Sequence, residues 1–210
     1  MLVDIHTHHA LNNELAILNL TFADAAEKFN STEDGFYSVG FHPWSADSYS
    51  IIELNQLVKW ATDKRFVFIG ECGLDKNSKS DLNTQINTFK IQIQLSESIQ
   101  KPLLIHCVGC FNELFEIKKQ LRPKQLWIIH GFRGKPELAN HALNIGFALS
   151  FGEKFNSESV RITPIEKLFL ETDESKHSIT EIYEQIAEIK NVEPDKLTAG
   201  FELIKKMNLK

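Results

Sequence analysis

The chain has 210 residues, a formal net charge of −5 and 42% hydrophobic residues. That is enough for one domain with a substantial core and too short for two ordinary ones, so a single domain over 1–210 is expected. An acidic balance without a basic stripe argues against a protein that wraps nucleic acid by bulk charge. It leaves room for one phosphodiester held in a cation-lined pocket.

Reading the chain by run length and periodicity gives eight short apolar runs rich in β-branched and aromatic residues. They are 2–6, 15–21, 36–42, 66–71, 102–107, 126–130, 147–151 and 168–173. Several are nearly continuous rather than alternating, as expected of parallel strands covered on both faces. The stretches between them suit helices. Thr84–Gln100 places Ile86, Phe89, Ile93 and Ile99 at near-helical spacing and stops before Pro102. Ser178–Lys190 sets Ile179, Ile182, Tyr183 and Ile186 on one stripe, and Pro194 suits the first turn of a terminal helix. This pattern predicts an α/β fold, a compact TIM-type (β/α)8 barrel. Only about eight residues separate the first two runs, too few for a crossover of roughly ten or more with its helix. The first crossover helix is therefore expected to be missing or trimmed, unless the second run is no strand.

Polar residues fall at the ends of these runs: His6 and His8, Glu71, His106, His130 and Asp173. In a parallel barrel such positions converge on one rim. Gathering imidazoles and carboxylates there without a cation would be costly, and the mixture suits Zn²⁺, Mn²⁺, Fe²⁺ or a similar ion. His6 and His8 are two apart, so an extended strand points both to one side, while His9 points elsewhere.

These residues lie in a set of motifs. They are Asp4-Ile5-His6-Thr7-His8, Gly40-Phe41-His42-Pro43, Gly70-Glu71-Cys72-Gly73-Leu74-Asp75, Gln85 with Phe89 and Gln92, Lys101-Pro102, Ile105-His106-Cys107, His130-Gly131-Phe132 and Leu170-Glu171-Thr172-Asp173. On them the chain resembles the TatD-type metal-dependent deoxyribonucleases of the amidohydrolase-like superfamily. The resemblance implies two divalent ions (Zn, Mn or Mg). His6, His8 and Asp173 would hold the first, His106 and His130 the second, with Glu71 bridging. Relatives bridged by a carbamylated lysine on the fourth strand are disfavoured, because no lysine ends 65–71. Hydrolysis would then use a metal-activated water, with Asp173 as base or orienting group. Catalytic roles fall to Asp173, Glu71 and His42, the last donating to a phosphate oxygen or leaving group. Arg133 and Lys135 are the candidates for holding substrate phosphate.

Two departures bear on substrate. Where the family carries an arginine shortly after the fifth-strand histidine, this chain has Cys107-Val108-Gly109-Cys110. After Asp173 the proline-rich family loop is replaced by Glu174-Ser175-Lys176-His177. DNA or a small phosphodiester is the expected substrate. The alternatives are hydrolysis of a nucleotide, cyclic amide or lactone by the same site, and a metal-binding barrel without turnover. Asp75 is read as structuring its turn, with orienting a ligand as the alternative, Cys72 and Cys107 as packing residues, and Trp44, Trp60 and Trp127 as core or helix-packing residues, with base stacking a minor role for Trp44. No apolar run reaches the length of a membrane span, and MLVDIHTHH lacks a signal-peptide layout. Three cysteines form no disulfide framework, so a cytoplasmic protein without an obligate protein partner is expected.

Overall fold

The computed structural model describes residues 1–9 and 15–208. In chain order the elements are β1 (Val3–Thr7), β2 (Leu15–Asn19), α1 (Phe22–Asn30), β3 (Phe36–Val39), α2 (Ile51–Ala61), β4 (Phe66–Asp75), α3 (Leu82–Ile99) and β5 (Leu103–Val108). They continue with α4 (Phe111–Leu121), β6 (Trp127–Ile129), α5 (Pro136–Asn144), β7 (Phe147–Phe151), α6 (Ser157–Ile162), β8 (Leu168–Leu170), α7 (Ile179–Lys190) and α8 (Ala199–Asn208). All eight expected strands are present, the second among them. The expected trimming of the first crossover concerns a segment whose residues 10–14 lie outside the described residues.

Hydrogen-bonded strands follow chain order from β1 to β8. Among the described residues no helix is long and apolar enough to cross a membrane. The chain divides into two compact units, Met1–Leu18 with Ile128–Lys210, and Asn19–Trp127.

In the first unit β1 runs parallel to β2 (Val3 opposite Leu15) and β7 parallel to β8 (Leu149 opposite Leu168). A parallel bridge from Thr7 to Asp173 lays the chain after β8 beside β1. Every residue of β1, β7 and β8 is buried, which explains their near-continuous apolar runs. Tyr183 of α7 closes the start of β1: its hydroxyl donates to the Val3 carbonyl (3.0 Å) and accepts from the Val3 N–H (3.2 Å). Helix α7 begins with a capping box between Ser178 and Glu181.

In the second unit β3, β4 and β5 are parallel neighbours. Strand β4 continues past Glu71 to Asp75, longer than its apolar run suggested. Between Ile69 and Cys72 it takes three steps while β5 takes two, from Leu103 to Ile105. This bulge sets Glu71 within the strand instead of at its end. At Gly70 and Gly73 a Cβ would collide with the backbone of Leu104 and His106, so the glycines of the motif permit this close strand approach. Two fully buried glutamines of α3 then hold the loop ends. Gln92 accepts from the Phe41 N–H (2.7 Å) and donates to the Phe41 carbonyl (3.0 Å). Gln85 accepts from the Asp75 N–H (2.8 Å) and donates to the carbonyls of Asp75 (3.2 Å) and Ser80 (2.8 Å). Each side-chain amide thus imitates a neighbouring strand where the ladder has ended.

Candidate metal centre

The first unit gathers four of the expected ligands. His6 is fully buried, and its Nε2 lies 3.5 Å from Asp173 Oδ1, to which His8 Nε2 comes within 3.6 Å. The shared approach confirms that the two histidines face the same way, and His9 is exposed. The His6 and His130 rings lie 4.6 Å apart. Asp4 explains why the first and last motifs belong together. It accepts from the Thr172 hydroxyl (2.6 Å), the Thr172 N–H (3.1 Å) and the His6 N–H (3.2 Å). Burial pushes its carboxyl up to about 7 against those hydrogen bonds. The Asp173 N–H then donates to the His6 carbonyl (2.9 Å).

Glu171 has a part that sequence reasoning missed. Fully buried, it accepts from the Gly131 N–H (2.6 Å) and lies 3.3 Å from His130 Nδ1, while its Oε2 has no hydrogen-bond partner. Donation from Nδ1 to this carboxylate leaves the His130 Nε2 lone pair for a ligand role. The signal was available, since an acid inside the apolar run Leu168–Asp173 needs a reason to be there.

The second unit holds the rest. Glu71 Oε1 lies 3.6 Å from His106 Nδ1, and His106 Nε2 is 2.9 Å from Asp75 Oδ2. Asp75 also accepts from the Trp44 indole (2.6 Å) and, through Oδ1, from the Asn77 N–H (2.8 Å). Burial alone would raise its carboxyl, but Trp44, Asn77 and His106 together hold it below the usual value. Asp75 therefore orients a histidine as well as structuring its turn. Trp44 is not the core residue expected from its type. It is 63% exposed, tied at one end to Asp75, whereas Trp60 and Trp127 are buried as expected. His42 accepts at Nδ1 from the Trp44 N–H (3.2 Å), and its ring lies 4.6 Å from that of His106. Asn19, at the end of β2, donates to Glu71 Oε2 (3.2 Å) and accepts from the Glu71 N–H (3.1 Å) and the Ser38 hydroxyl (2.9 Å).

The donor set fits divalent cations. Separations of 3.5–3.6 Å between imidazole nitrogens and carboxylate oxygens exceed an ordinary hydrogen bond. Two ligand atoms each ~2.1 Å from one ion at a tetrahedral angle lie about 3.4 Å apart. Within the units, His42, Glu71 and His106, and separately His130, Glu171 and Asp173, bring ligand atoms within 4.8 Å of one another.

The cationic residues are distributed unevenly. Arg133 lines a cleft of about 250 Å³ together with Gly131, Gly152, Lys154, Glu171 and Asp173. Lys135 is exposed at the N-terminal cap of α5 and is not among the residues lining that cleft. Lys154, three residues beyond β7, was not anticipated. The stretch from Cys107 to Cys110 carries no cation, but the aliphatic stem of Lys76 lies across Gly109. Cys72 is buried, and burial raises the thiols of Cys72, Cys107 and Cys110, which suits packing and not redox chemistry.

Eight strands in chain order, parallel where their register is defined, with β8 returning beside β1, have the topology of a TIM-type barrel with a histidine- and carboxylate-rich site. Residues 5–206 match the model of the TatD related DNase family, and the chain belongs to that family. It is 28% identical to the uncharacterized metal-dependent hydrolase YabD of Bacillus subtilis (strain 168), over 73% of this chain and 64% of that protein. It is 30% identical to the 3'-5' ssDNA/RNA exonuclease TatD of Pantoea sp. (strain At-9b), over 65% of this chain and 56% of the relative. The matched segments thus span little more than half to two thirds of these relatives. The fold matches the crystal structure of YJJV, a TatD homolog from Escherichia coli K12, with a TM-score of 0.81 at 18% identity, covering 99% of this chain and 97% of that one.

Proposed function

We propose that this protein is a metal-dependent phosphodiesterase acting on nucleic acid, its site holding two divalent ions with Glu71 as the shared ligand. The observation that carries the reading is the pairing of imidazole nitrogens with Asp173 and Glu71 at 3.5–3.6 Å, separations suited to ligands of a common cation. In this assignment His6, His8 and Asp173 serve one ion, His106 and His130 the other. The name of the Pantoea relative, a single-stranded DNA/RNA exonuclease, supports the substrate class. When bound, such ions supply an activated water and neutralise charge on the attacked phosphorus.

The chain's own residues do the rest. Glu171 and Asp75 each take a ring N–H, fixing the tautomers of His130 and His106. His42 accepts at Nδ1, so its Nε2 carries the proton and donates to a phosphate oxygen or to the departing oxygen. Asp173, about one third exposed, accepts a proton from the attacking water or aligns it. Arg133, in the cleft beside Asp173, holds a non-bridging phosphate oxygen, and Lys135 supports it from farther out.

A hydrolysis screen with Mn²⁺, Mg²⁺ and Zn²⁺ tests the reading, covering single- and double-stranded DNA, RNA, nucleotides and lactones. The expected result is phosphodiester cleavage that Asp173→Asn abolishes. Turnover of lactones with none of phosphodiesters would overturn it.

A further inference from the structure

The first unit contains a second concavity, of about 450 Å³, next to the cleft at Asp173. Its lining is Arg133, Glu153, Lys154, Phe155, Asn156 and Gln185, and the first three of these also line the Asp173 cleft. Arg133 and Lys154 therefore form a ridge between two adjoining depressions. Among the described residues neither cation makes an ion pair or a hydrogen bond. The acid between them in the shared lining, Glu153, is engaged elsewhere, accepting from the Ser175 hydroxyl (2.8 Å) and lying 3.9 Å from His177 Nε2. Two cations without an ion-pair partner on a ridge suit a polyanion crossing from one depression to the other.

The far depression differs in chemistry from the near one. Phe155 is half-buried, held by the protein yet open on part of its surface, and Gln185 is exposed on α7. The Asn156 carbonyl oxygen caps α6 through the Glu158 and Ser159 N–H groups, leaving its amide N–H₂ to donate. An aromatic ring beside amide side chains, reached over a cationic ridge, is the combination that binds an unpaired base and its backbone. A duplex would keep its bases stacked on one another and give Phe155 nothing to stack on.

We infer that this depression is a nucleotide subsite. The phosphate next to the scissile one lies on Lys154, with Arg133 between it and the scissile phosphate, and its base stacks on Phe155 with Asn156 and Gln185 at the base edge. The inference rests on the nucleic-acid reading of Asp173 and its neighbours. It adds that the substrate extends at least one nucleotide past the cut, and it names the residues that hold that nucleotide's phosphate and base.

Two measurements test it. In the first, protein stripped with EDTA is titrated into fluorescein-labelled oligothymidylate and followed by anisotropy over a range of salt. Phe155→Ala is expected to weaken binding about 10-fold and Phe155→Trp to retain it. Arg133→Ala and Lys154→Ala should each reduce the salt slope by about 0.7, the increment of one phosphate contact on a single strand. No binding by the stripped wild-type protein, or unchanged binding in Phe155→Ala, overturns the subsite. In the second, kcat/KM with Mn²⁺ is compared for a tetranucleotide and for bis(4-nitrophenyl) phosphate, which has no base. The ratio of the two should fall about 10-fold in Phe155→Ala and recover in Phe155→Trp. Equal losses on both substrates contradict the subsite. A wild-type protein that cleaves the small ester without preferring the oligonucleotide also overturns it, while one that cleaves neither overturns the phosphodiesterase reading beneath it.

Discussion

Asn19 and Glu71 exchange two hydrogen bonds, the Asn19 amide donating to the Glu71 carboxylate and its carbonyl accepting from the Glu71 N–H. One side chain from the end of β2 thereby fixes both the backbone and the carboxylate of the proposed bridging residue, and Ser38 fixes Asn19 in turn. Residues that orient a metal ligand contribute measurably to metal affinity.

Asn19→Ala should therefore weaken divalent-ion binding by about 10- to 100-fold. Asn19→Asp should be at least as damaging, since it replaces the N–H₂ donor with a second negative charge. Calorimetric titration of the stripped protein with Mn²⁺ measures both. An unchanged affinity would show that Glu71 needs no such support.

Tyr183 closes the start of β1 with one donated and one accepted hydrogen bond to Val3, and burial raises its phenol well above the usual value. Tyr183→Phe leaves the buried Val3 N–H and carbonyl without that partner. The expected cost is about 1–3 kcal/mol, read as a lower urea midpoint at constant slope.

Arg65 ties three carbonyls, of Phe29, Ser31 and Glu33, to Asp63 in the second unit. Hydrogen bonding from Arg65 holds the Asp63 carboxyl below its ordinary value. A depressed carboxylate contributes stability that is present above its unfolded pKa of 3.8 and lost as pH falls through the lower folded value. Arg65→Ala should lower the thermal midpoint at neutral pH and flatten its decline below about pH 4. A parallel decline in both proteins would show that this pair does not carry the acid sensitivity.

Gln92→Leu removes both partners of Phe41 from a fully buried position, two residues before Pro43 and next to His42. A loss of about 1–3 kcal/mol follows from stranding the Phe41 backbone groups. Gln92→Glu offers only acceptors when ionised, so it keeps the contact to the N–H and loses the one to the carbonyl. It also buries an unpaired charge, so at neutral pH it should cost at least as much as Gln92→Leu in a denaturant titration.

The sequence made the strands legible because parallel strands buried on both faces leave nearly continuous apolar runs, as at Phe147–Phe151. The same rule, polar residues at run ends, found His6, His106, His130 and Asp173. It was less exact for Glu71, because the bulge between Ile69 and Cys72 places that residue within a strand reaching Asp75. The only residue-type signal for the bulge is the pair Gly70 and Gly73, since glycine within a strand often marks a bulge or a close backbone approach. The sequence offers Asp75 as a ligand-orienting residue and Glu171 as an acid within an apolar run, but not what these two or Asn19 would hold. Each acts through a partner distant in sequence, so only the folded chain shows the pairing. Trp44 was misread because its bulk suggests burial, whereas its indole N–H has a specific use at Asp75. Lys154 could have been found, since it lies one residue closer behind β7 than Arg133 lies behind β6.

The central claim is that two cations share Glu71, and equilibrium dialysis followed by elemental analysis tests it most directly. Wild-type protein dialysed against Zn²⁺ or Mn²⁺ should retain two ions per chain, and Glu71→Gln, near-identical in shape, should retain at most one. Two ions held by Glu71→Gln with wild-type affinity would contradict the claim.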